Sequence, residues 1–458
     1  MSRRRTENEP ESALAVPVDG AAPGCKPGPV AAPSVASTPT HPARRTVTTT
    51  GEQTQADASS RSTRDLILDA ADVRFAEHGF DNARLIDITA DVGLTTGALY
   101  RHFPAKDDLP VALLDSLSDD LVGSVSDRQD QRAALQAMLD ALDRHPGALR
   151  MFFERSRWAG RRTPRDPRAE SVKALTDRLD VDLPVARRRL LAALVVDMLM
   201  HQMRAVHDGG LPTRPSAAIA ETMDQLIATG VYPDPDARPT VAMPPWDEVR
   251  FEPSIRWQAS SDKVLPRSVK GIRTRQMIQD AAARVFTQRG LAQATMNDVA
   301  EEAGIASGSV YRYFADKADI LHSLQAAVEE AIIRESHLPL DHGRLAIHGQ
   351  MLAYLDCYER HLGAIRAWRE LSAPGSELAA AWNGMRNSFI ERSLRVLRYG
   401  QTSGIAREDL DMSVVADLHS MAYEGAAYSR LVLGYDAGTG VSKLADTMHR
   451  LFVGGFAA

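Results

Sequence analysis

The chain has 458 residues, 44% of them hydrophobic and 25% charged, which is long enough for two or three domains with cores of their own. No run of about 18 uncharged apolar residues is present, and no apolar segment follows the basic start Met1–Arg5, which argues against a membrane span and a secretory signal. The formal charge of −6 argues against wholesale wrapping of nucleic acid but permits a local basic face, and two cysteines, Cys25 and Cys357, favour a reducing cytoplasm over a disulfide framework.

Residues 1–60 are rich in Pro, Ala, Ser and Thr and have almost no large apolar side chains. Such a segment cannot bury enough surface to offset the entropy of ordering it, so we predict a disordered tail. Its arginine clusters at 3–5 and 44–45 could contact phosphates, or the tail could be solvated and without a role. Both readings stay open.

Residues 61–109 carry the pattern of a small helical domain. Apolar residues recur at steps of three and four, at Leu66, Ile67, Ala70, Ala71 and Phe75. This pattern stops at Gly79, a short helix follows over 85–92, and Gly93 supplies a tight turn. The next helix begins after Thr95, whose hydroxyl can cap it, and its Leu99 and Phe103 point back to the first helix. Two short helices about a glycine turn, supported by a third, form a helix-turn-helix.

The remaining segments are amphipathic, and none alternates with period two for long, so we predict an all-α fold. Helices are expected near 106–124, 127–144, 146–158, 166–179, 184–207 and 214–229, which make a helical regulatory domain of 110–231. Residues 232–269 are rich in proline and predict a linker. A second small domain over 270–320 and a second helical domain over 321–458 follow, with later helices near 316–336, 344–361, 362–371, 376–402, 411–433 and 441–453.

The second small domain repeats the first at a constant offset of 211 positions (304 − 93). The segment from Gly304 to Phe314 reads GIASGSVYRYF, against GLTTGALYRHF from Gly93 to Phe103. About sixteen of the 46 pairs from Arg64 to Leu109 are identical without a gap, which is typical of a true internal repeat. One chain therefore holds two copies of one module.

Both copies resemble the N-terminal DNA-binding domain of the TetR/AcrR family of bacterial repressors, in the turn glycine, the Tyr-Arg-aromatic-Phe run and the lysine three residues later. The resemblance implies two tandem TetR-like units and a bacterial, nucleoid-associated regulator that binds double-stranded DNA. Base-edge or groove contacts are implied for Thr95, Thr96, Ala98, Ala306, Ser307 and Ser309. Phosphate or further backbone contacts are implied for Tyr100, Arg101, His102, Lys106, Thr295, Tyr311, Arg312, Tyr313 and Lys317. Such contacts fix register without reading sequence.

The two copies differ in charge and in capping. Residues 61–109 hold six Lys/Arg and nine Asp/Glu, a balance of −3, whereas 263–320 hold nine and six, a balance of +3. Neutralisation of phosphates supplies much of the affinity for DNA. We therefore predict DNA binding more firmly for the second copy than for the first. Ala306 replaces the capping Thr95, and Arg84 stands where the second copy has Thr295.

Family members pair as symmetric dimers through their last two helices, so we predict that the two halves pair within one chain. The linker of roughly 40 residues has a random-coil span of about 35 Å. The predicted seams are 190–206 with 216–228, and 411–433 with 441–453. Because the two reading segments differ, the predicted target is an imperfect palindrome with unlike half-sites. A homodimer of chains is also possible.

The later helices carry apolar residues beyond what one face requires. The resemblance implies that a small effector binds among them, and Met-rich and aromatic walls favour an apolar or aromatic compound. The candidate contacts are Phe152, Phe153, Trp158, Met198, Tyr354, Tyr358, Trp368 and Trp382. A plain structural role in the core remains the competing interpretation for each of them.

No metal, nucleotide or nucleophile motif of the common enzyme classes occurs, so we expect neither catalysis nor a cofactor nor a metal. A competing function comes from another class: a sensor or protein-binding scaffold in which only the second module binds DNA and chains pair intermolecularly. DNA binding by the first half separates the two readings, because the scaffold predicts that it adds no sequence preference.

Overall fold

The computed structural model describes residues 62–128, 130–158, 164–241, 266, 268–335, 344–371, 376–435 and 440–456. The predicted disordered tail of 1–60 and most of the predicted linker lie outside these residues. Within them the chain is helical, and the only β-type pairing is a pair of isolated bridges that Val453 makes with Gly230 and Tyr232. None of the described helices combines the length and apolarity needed to cross a bilayer.

The first half contains ten helices in the described residues. They are α1 (Thr63–Asn82), α2 (Leu85–Asp91), α3 (Thr96–His102), α4 (Asp108–Ser126), α5 (Gln131–Arg144), α6 (Pro146–Phe153), α7 (Arg155–Trp158), α8 (Pro167–Thr176), α9 (Val185–His207) and α10 (Ser216–Thr229). Side-chain caps begin several of them: Ser62, Asp130 and Asp166 each accept a hydrogen bond from an amide in the first turn.

The second half repeats this order. Its helices are α11 (Val269–Gln293), α12 (Met296–Glu302), α13 (Ser307–Val310), α14 (Lys317–Glu335), α15 (Ile347–Arg360), α16 (Leu362–Leu371), α17 (Glu377–Thr402), α18 (Met412–Ala427) and α19 (Val441–Phe452). A π-helical turn, Tyr428–Val432, extends α18. The all-α fold class predicted from periodicity is confirmed, and most helix ends fall within about three residues of the predicted ones.

The two small domains share contacts at the same offset of 211 positions. Gly79 and Gly290 both break the first helix of their module at φ +71°. The guanidinium of Arg64 lies 5.0 Å from the ring centre of Phe103, and that of Arg275 lies 4.9 Å from Phe314. The internal repeat in sequence is therefore also a repeat in packing.

The two halves pack on each other through four helices. Helix α9 lies along α18, α10 contacts α19, and α9 and α10 also reach α19 and α18 respectively. A methyl group on Gly425 of α18 would lie only 3.0 Å from Cβ of Asp197 on α9, so glycine allows the close approach of these two helices. We call this contact of α9 and α10 with α18 and α19 the seam.

The chain ends of the two halves are also joined by backbone hydrogen bonds. The amide of Val231 donates to the carbonyl of Phe452 at 2.8 Å, and the amide of Gly454 donates to the carbonyl of Tyr232 at 2.9 Å. Tyr232, placed at the start of the predicted linker, is fully buried. Beyond it, Thr240 hydrogen-bonds the carbonyl of Ser403, so residues 232–241 run along the second half.

Candidate DNA-binding surfaces and the seam between the halves

The third helix of the first module presents the predicted contacts on its outer face. The amide of Ala98 donates to the hydroxyl of Thr95 at 3.3 Å, which caps α3 and lets it run for seven residues. Tyr100 is 49% exposed, while Leu99 is fully buried against the module core. Arg101 and His102 are exposed, and Thr96 and Ala98 are half-buried.

The corresponding helix of the second module is shorter. Ala306 offers no side-chain cap, and α13 is α-helical for only four residues before its last turn loosens. Tyr311 is 48% exposed, which matches Tyr100, and Arg312 is exposed with its guanidinium 5.6 Å from the ring centre of Tyr313. Ser307 and Ser309 are half-buried. The same outward face is therefore built from unlike residues.

The capping of the N-terminus of the second helix also differs between the modules. Thr295 and Asp298 form a capping box at α12, since each side chain accepts a hydrogen bond from the other's backbone amide. At α2 the equivalent Arg84 has no capping bond and instead pairs with Asp87 at 2.7 Å. The Thr295 hydroxyl thus has a structural partner next to the surface where a phosphate contact was predicted.

The two predicted phosphate lysines have a structural role in the described geometry. Lys106 Nζ donates to the carbonyl of Phe80 at 2.6 Å, and Lys317 Nζ donates to the carbonyls of Leu291 at 2.8 Å and Ala294 at 3.2 Å. Lys106 therefore ties the turn before α4 to the end of α1, and Lys317 ties the start of α14 to the end of α11. Burial lowers the pKa of Lys106 below its ordinary value.

Each module is joined to its own helical domain by a glycine contact. A methyl group on Gly147 of α6 would lie 2.0 Å from the carbonyl oxygen of Asp72 on α1. A methyl group on Gly363 of α16 would lie 2.1 Å from the carbonyl oxygen of Ala283 on α11. Since 283 − 72 is the repeat offset of 211, the two halves use one docking geometry for their modules.

The first half strengthens this joint with charged side chains. The Asp72 carboxylate accepts the amides of Gly147 at 3.1 Å and Ala148 at 2.7 Å and so caps α6. Glu154 accepts the amide of Phe80 at 3.1 Å and pairs with Arg150 at 2.8 Å. Burial raises the pKa of Glu154, but Arg150 outweighs this and holds it below its ordinary value, so the carboxylate is charged.

Most of the predicted effector residues lie in the cores of the two halves. Buried side chains among them are Phe152, Trp158, Met198, Tyr354, Tyr358, Trp368 and Trp382. Trp158 Nε1 donates to the carbonyl of Met151 and Trp368 Nε1 to that of Leu378, both at 2.9 Å. Such bonds satisfy the indole inside a packed core. The effector roles stay predictions.

Phe153 belongs to an aromatic cluster that crosses the seam. Its ring centre lies 4.8 Å from His201 and 5.3 Å from Tyr428, and the Tyr428 hydroxyl donates to its carbonyl at 2.8 Å. His201 belongs to α9, whereas Tyr428 opens the π-helical turn after α18. The side chains of the two halves thus interlock at this point.

Two buried ion pairs flank the seam, and the sequence reading did not single them out. The guanidinium of Arg168 donates two hydrogen bonds to the carboxylate of Asp197, at 2.6 and 2.8 Å. The guanidinium of Arg386 donates two to the carboxylate of Glu424, at 2.6 and 3.0 Å. Burial raises the pKa of Glu424, but Arg386 outweighs it, so the carboxylate is charged. A signal was present, because Asp197 and Glu424 are single charges within long uncharged stretches of helices.

Comparison with known proteins identifies the repeated segments. The family model described as "Bacterial regulatory proteins, tetR family" matches residues 67–113 and again 278–324, at the same offset of 211. The chain is 24% identical over 197 residues to a "Probable acrEF/envCD operon repressor" of Escherichia coli K12, a match that covers 40% of this chain and 89% of that protein.

Two further likenesses are weaker or shorter. The chain is 28% identical over 156 residues to "HTH-type transcriptional repressor KstR2" of Rhodococcus jostii, covering 30% of this chain and 69% of that protein. A solved structure of the fatty acid degradation regulator FadR from Bacillus halodurans is 21% identical over 40% of this chain and 95% of that chain. Its TM-score of 0.32 is too low to support a conclusion.

Proposed function

This chain is a DNA-binding regulator of the TetR family with two tandem units, and from that premise we propose that it acts as a ligand-responsive repressor that reads DNA as a single-chain pseudo-dimer. Its target would be an imperfect palindrome whose half-sites lie about one helical turn, 34–36 Å, apart. The names of its relatives, which are repressors, support the proposed outcome of binding.

The observation that carries the pseudo-dimer is the seam. Helices α9 and α10 of one half are already packed on α18 and α19 of the other half within one chain. The apolar surfaces that would join two chains are thus covered by the other half of the same chain. Because one chain links the two halves, each half meets the other at a high effective concentration. A single chain then offers two reading helices in a fixed relation.

Unlike half-sites follow from the reading faces. Thr96 and Ala98 in α3 stand against Ser307 and Ser309 in α13, on equivalent turns of the two helices. Side chains on such a face discriminate bases through hydrogen bonds and methyl contacts in the major groove. Different groups on the two faces favour different base pairs in the two half-sites.

Selection of binding sites from random duplexes by the intact protein, at one stated salt concentration, tests the proposal. We expect enrichment of two unlike half-sites at one-turn spacing. A symmetric palindrome would show that two chains read with one module each, and no enrichment at low salt would overturn the assignment of a sequence-reading function.

A matched pair of variants assigns each half-site to its module. Tyr100→Ala and Tyr311→Ala remove side chains of nearly equal exposure from equivalent positions. Each variant should weaken one half-site, whereas Leu352→Ala, on the exposed face of α15, should leave both unchanged. If Tyr311→Ala cost no more affinity than Leu352→Ala, the assigned reading face of the second module would be wrong.

The scaffold alternative keeps one specific support, the acidic balance of −3 in the first module. It predicts that Tyr100→Ala leaves the selected sequence and its affinity unchanged at every salt concentration. It also predicts intermolecular pairing of chains. The covered seam weighs against that pairing, so we prefer the pseudo-dimer.

A further inference from the structure

A small polar cavity of about 50 Å³ lies at one end of the seam. We call it the seam cavity, and its wall includes side chains from both halves: His201 and Arg204 of α9, Arg369 of α16, Trp382 and Arg386 of α17, and Glu424 of α18. A cavity of this size is large enough for several waters or for one small polar molecule. Of the predicted effector residues, Trp382 lines this cavity, and most of the other lining side chains are polar or charged.

Three polar atoms of this wall are buried without a hydrogen-bond partner among the described residues. They are Nη1 of Arg204, Nη1 of Arg369 and Nε2 of His201. Arg369 Nη1 approaches Glu424 only to 3.7 Å, beyond hydrogen-bond distance. A buried polar atom left unsatisfied is costly, so the two guanidinium donors and the imidazole acceptor together favour a polar ligand in this cavity.

The charges of the wall do not cancel. Arg386 is fully engaged, with two bonds to Glu424 and a third to the side-chain oxygen of Asn383 at 2.8 Å. Arg204 Nε donates to Asp208 at 2.6 Å. Three guanidinium groups therefore face two carboxylates, which leaves one positive charge, and this balance favours a monoanion.

Arg369 is the cation in excess, and its orientation is fixed by two aromatic rings. Its guanidinium lies 5.1 Å from the ring centre of Trp382 and 4.6 Å from that of Tyr428. Stacking of this kind holds the planar group in place before a ligand arrives. Little side-chain entropy then remains to be lost on binding.

His201 supplies an acceptor rather than a charge. Its Nδ1 lies 2.9 Å from the carbonyl oxygen of Asp197, and that bond assigns the ring proton to Nδ1 and leaves Nε2 as an acceptor. Burial, with a contribution from Arg369, lowers the pKa of His201 to about 3, so the ring is neutral. A hydroxyl on the occupant could donate to Nε2.

The other buried ion pair at the seam has a different environment. At Arg168 and Asp197, the second half fills the space: Tyr435 stacks on the guanidinium at 4.4 Å and Ser429 donates to the carboxylate at 2.7 Å. Beside Arg386, the first half supplies Gly210 instead. A methyl group there would lie 2.5 Å from Arg386 Nη1, so glycine allows the close approach of the first half to this guanidinium.

We propose that the seam cavity binds one small organic monoanion per chain, a carboxylate held by Nη1 of Arg204 and Nη1 of Arg369, with a hydroxyl that donates to Nε2 of His201. This ligand is the effector of the regulator, so its regulatory role rests on the proposed function. The charged wall favours it over the apolar effector that the aromatic residues alone predict.

The two arginines connect the seam cavity to helices that contact both reading modules. Arg369 lies on α16, which packs on α11 of the second module. Arg204 lies 5.7 Å from the ring centre of Phe153 on α6, the helix that docks on α1 of the first module. A carboxylate between the two arginines would draw these two arms together, and it can shift a conformational equilibrium by its differential affinity.

Titration calorimetry of the full-length protein with glycolate, at constant ionic strength, tests the site directly. Glycolate should bind at one molecule per chain. Glycolamide, which lacks the charge, and acetate, which lacks the hydroxyl donor, should each bind at least tenfold more weakly. Equal binding of all three compounds, or no binding of glycolate, would overturn the proposed ligand class.

Substitutions locate the site. Arg369→Gln and Arg204→Gln should each weaken glycolate at least tenfold, whereas Arg366→Gln removes the same charge from α16 outside the cavity and should leave it unchanged. Circular dichroism verifies that each variant is folded. Unchanged glycolate affinity in both cavity variants would place binding elsewhere and overturn the site.

The regulatory role is measured separately, as the affinity for the selected duplex with and without glycolate. We expect a change of at least fivefold that Arg369→Gln abolishes. Binding of glycolate without any change in DNA affinity would overturn the effector role. Absence of duplex binding in all conditions would instead overturn the proposed function, while the calorimetric result on the site would stand.

Discussion

At the scale of single residues, one difference between the two reading helices is the hydroxyl group at the residue that precedes each helix. Thr95 caps α3, whereas Ala306 leaves the start of α13 uncapped, although its backbone has the same extended conformation. The sequence alone predicted this difference, because a cap depends only on the residue at the helix start and on its neighbours.

Thr95→Ala should destabilise the start of α3 by about 0.5–2 kcal/mol. Hydrogen exchange of the Ala98 amide, which donates to the Thr95 hydroxyl, should accelerate accordingly. Thr95→Ser keeps the hydroxyl and serves as the control. Equal exchange in Thr95→Ala and the unchanged protein would show that the cap contributes nothing in solution.

The lysines that follow the aromatic run link elements within their modules. Lys317→Met should lower the free energy of unfolding by about 1–3 kcal/mol, because the carbonyls of Leu291 and Ala294 lose a charged donor in a half-buried site. Urea unfolding measures this, with Lys443→Met, an exposed lysine on α19, as the control.

The salt dependence of DNA affinity in the same variant tests the phosphate role. A phosphate contact by Lys317 would reduce the slope of log affinity against log salt by about one. An unchanged slope together with lost stability would assign the lysine to structure alone. A variant as stable as Lys443→Met would contradict the structural role.

At the scale of elements, periodicity placed the helices well but missed their interruptions. One helix was expected over 146–158, yet it breaks at Glu154, whose carboxylate caps the Phe80 amide of the first module. One helix was expected over 411–433, yet α18 passes into a π turn where Tyr428 and Ser429 bond the first half. Both irregularities occur where residues distant in the sequence make contact. The spacing of apolar residues along the chain cannot predict such contacts.

The docking of each module on its helical domain depends on a glycine. Gly363→Ala should destabilise the second half by roughly 1–3 kcal/mol or more, because the added methyl would meet the backbone of Ala283 at 2.1 Å and push α16 from α11. Thermal unfolding measures the loss. Gly123→Ala in α4, where the methyl meets nothing within 4 Å, should instead be neutral or stabilising.

A Gly363→Ala protein as stable as Gly123→Ala would show that α16 and α11 are not in tight contact. The equivalent Gly147→Ala provides an independent repeat of the experiment in the first half. Agreement between the two variants would support one docking geometry for both modules.

At the scale of the whole molecule, the seam already pairs α9 and α10 with α18 and α19 within one chain. We therefore expect light scattering at micromolar concentration to give the mass of one chain, 50.0 kDa, for the free protein. With DNA it should give the mass of one chain plus one duplex. Gly425→Leu, which would separate α18 from α9, serves as the variant that opens the seam. A stable species of twice the mass in the unchanged protein would contradict the single-chain pseudo-dimer.

Two buried histidines make the stability of the seam depend on pH. Burial, with nearby arginines, lowers the pKa values of His201 and His419 to about 3, so both are neutral in the folded chain. In the unfolded chain each histidine binds a proton near the ordinary histidine pKa of 6.5. The free energy of unfolding must therefore fall as pH falls below that value. From pH 7 to 5.5 the loss should be about 1 kcal/mol for each histidine.

Urea unfolding at the two pH values checks this expectation. His201→Asn should remove about half of the pH-dependent loss, whereas His102→Asn, at an exposed position, should leave it unchanged. A pH dependence that is the same in His201→Asn and in the unchanged protein would show that His201 does not stay neutral in the seam.

The sequence by itself determined the two modules, their family, the all-α fold and the order of helices. These properties depend on local patterns: a repeat in register, apolar spacing, caps and turn glycines, all of which can be read along the chain. The unlike charge and unlike reading residues of the two modules also belong to this level.

Only the tertiary structure decided where the halves touch in detail and what lies between them. Glu424 pairs with Arg386 and approaches Arg369, both of which lie on other helices. These groups meet Arg204 of the first half only where α9 comes close to α16, α17 and α18. The seam cavity likewise takes its lining from both halves, with His201 from one half and Arg386 from the other. No local pattern encodes such a meeting, because its energy arises from desolvation and packing between segments about two hundred residues apart.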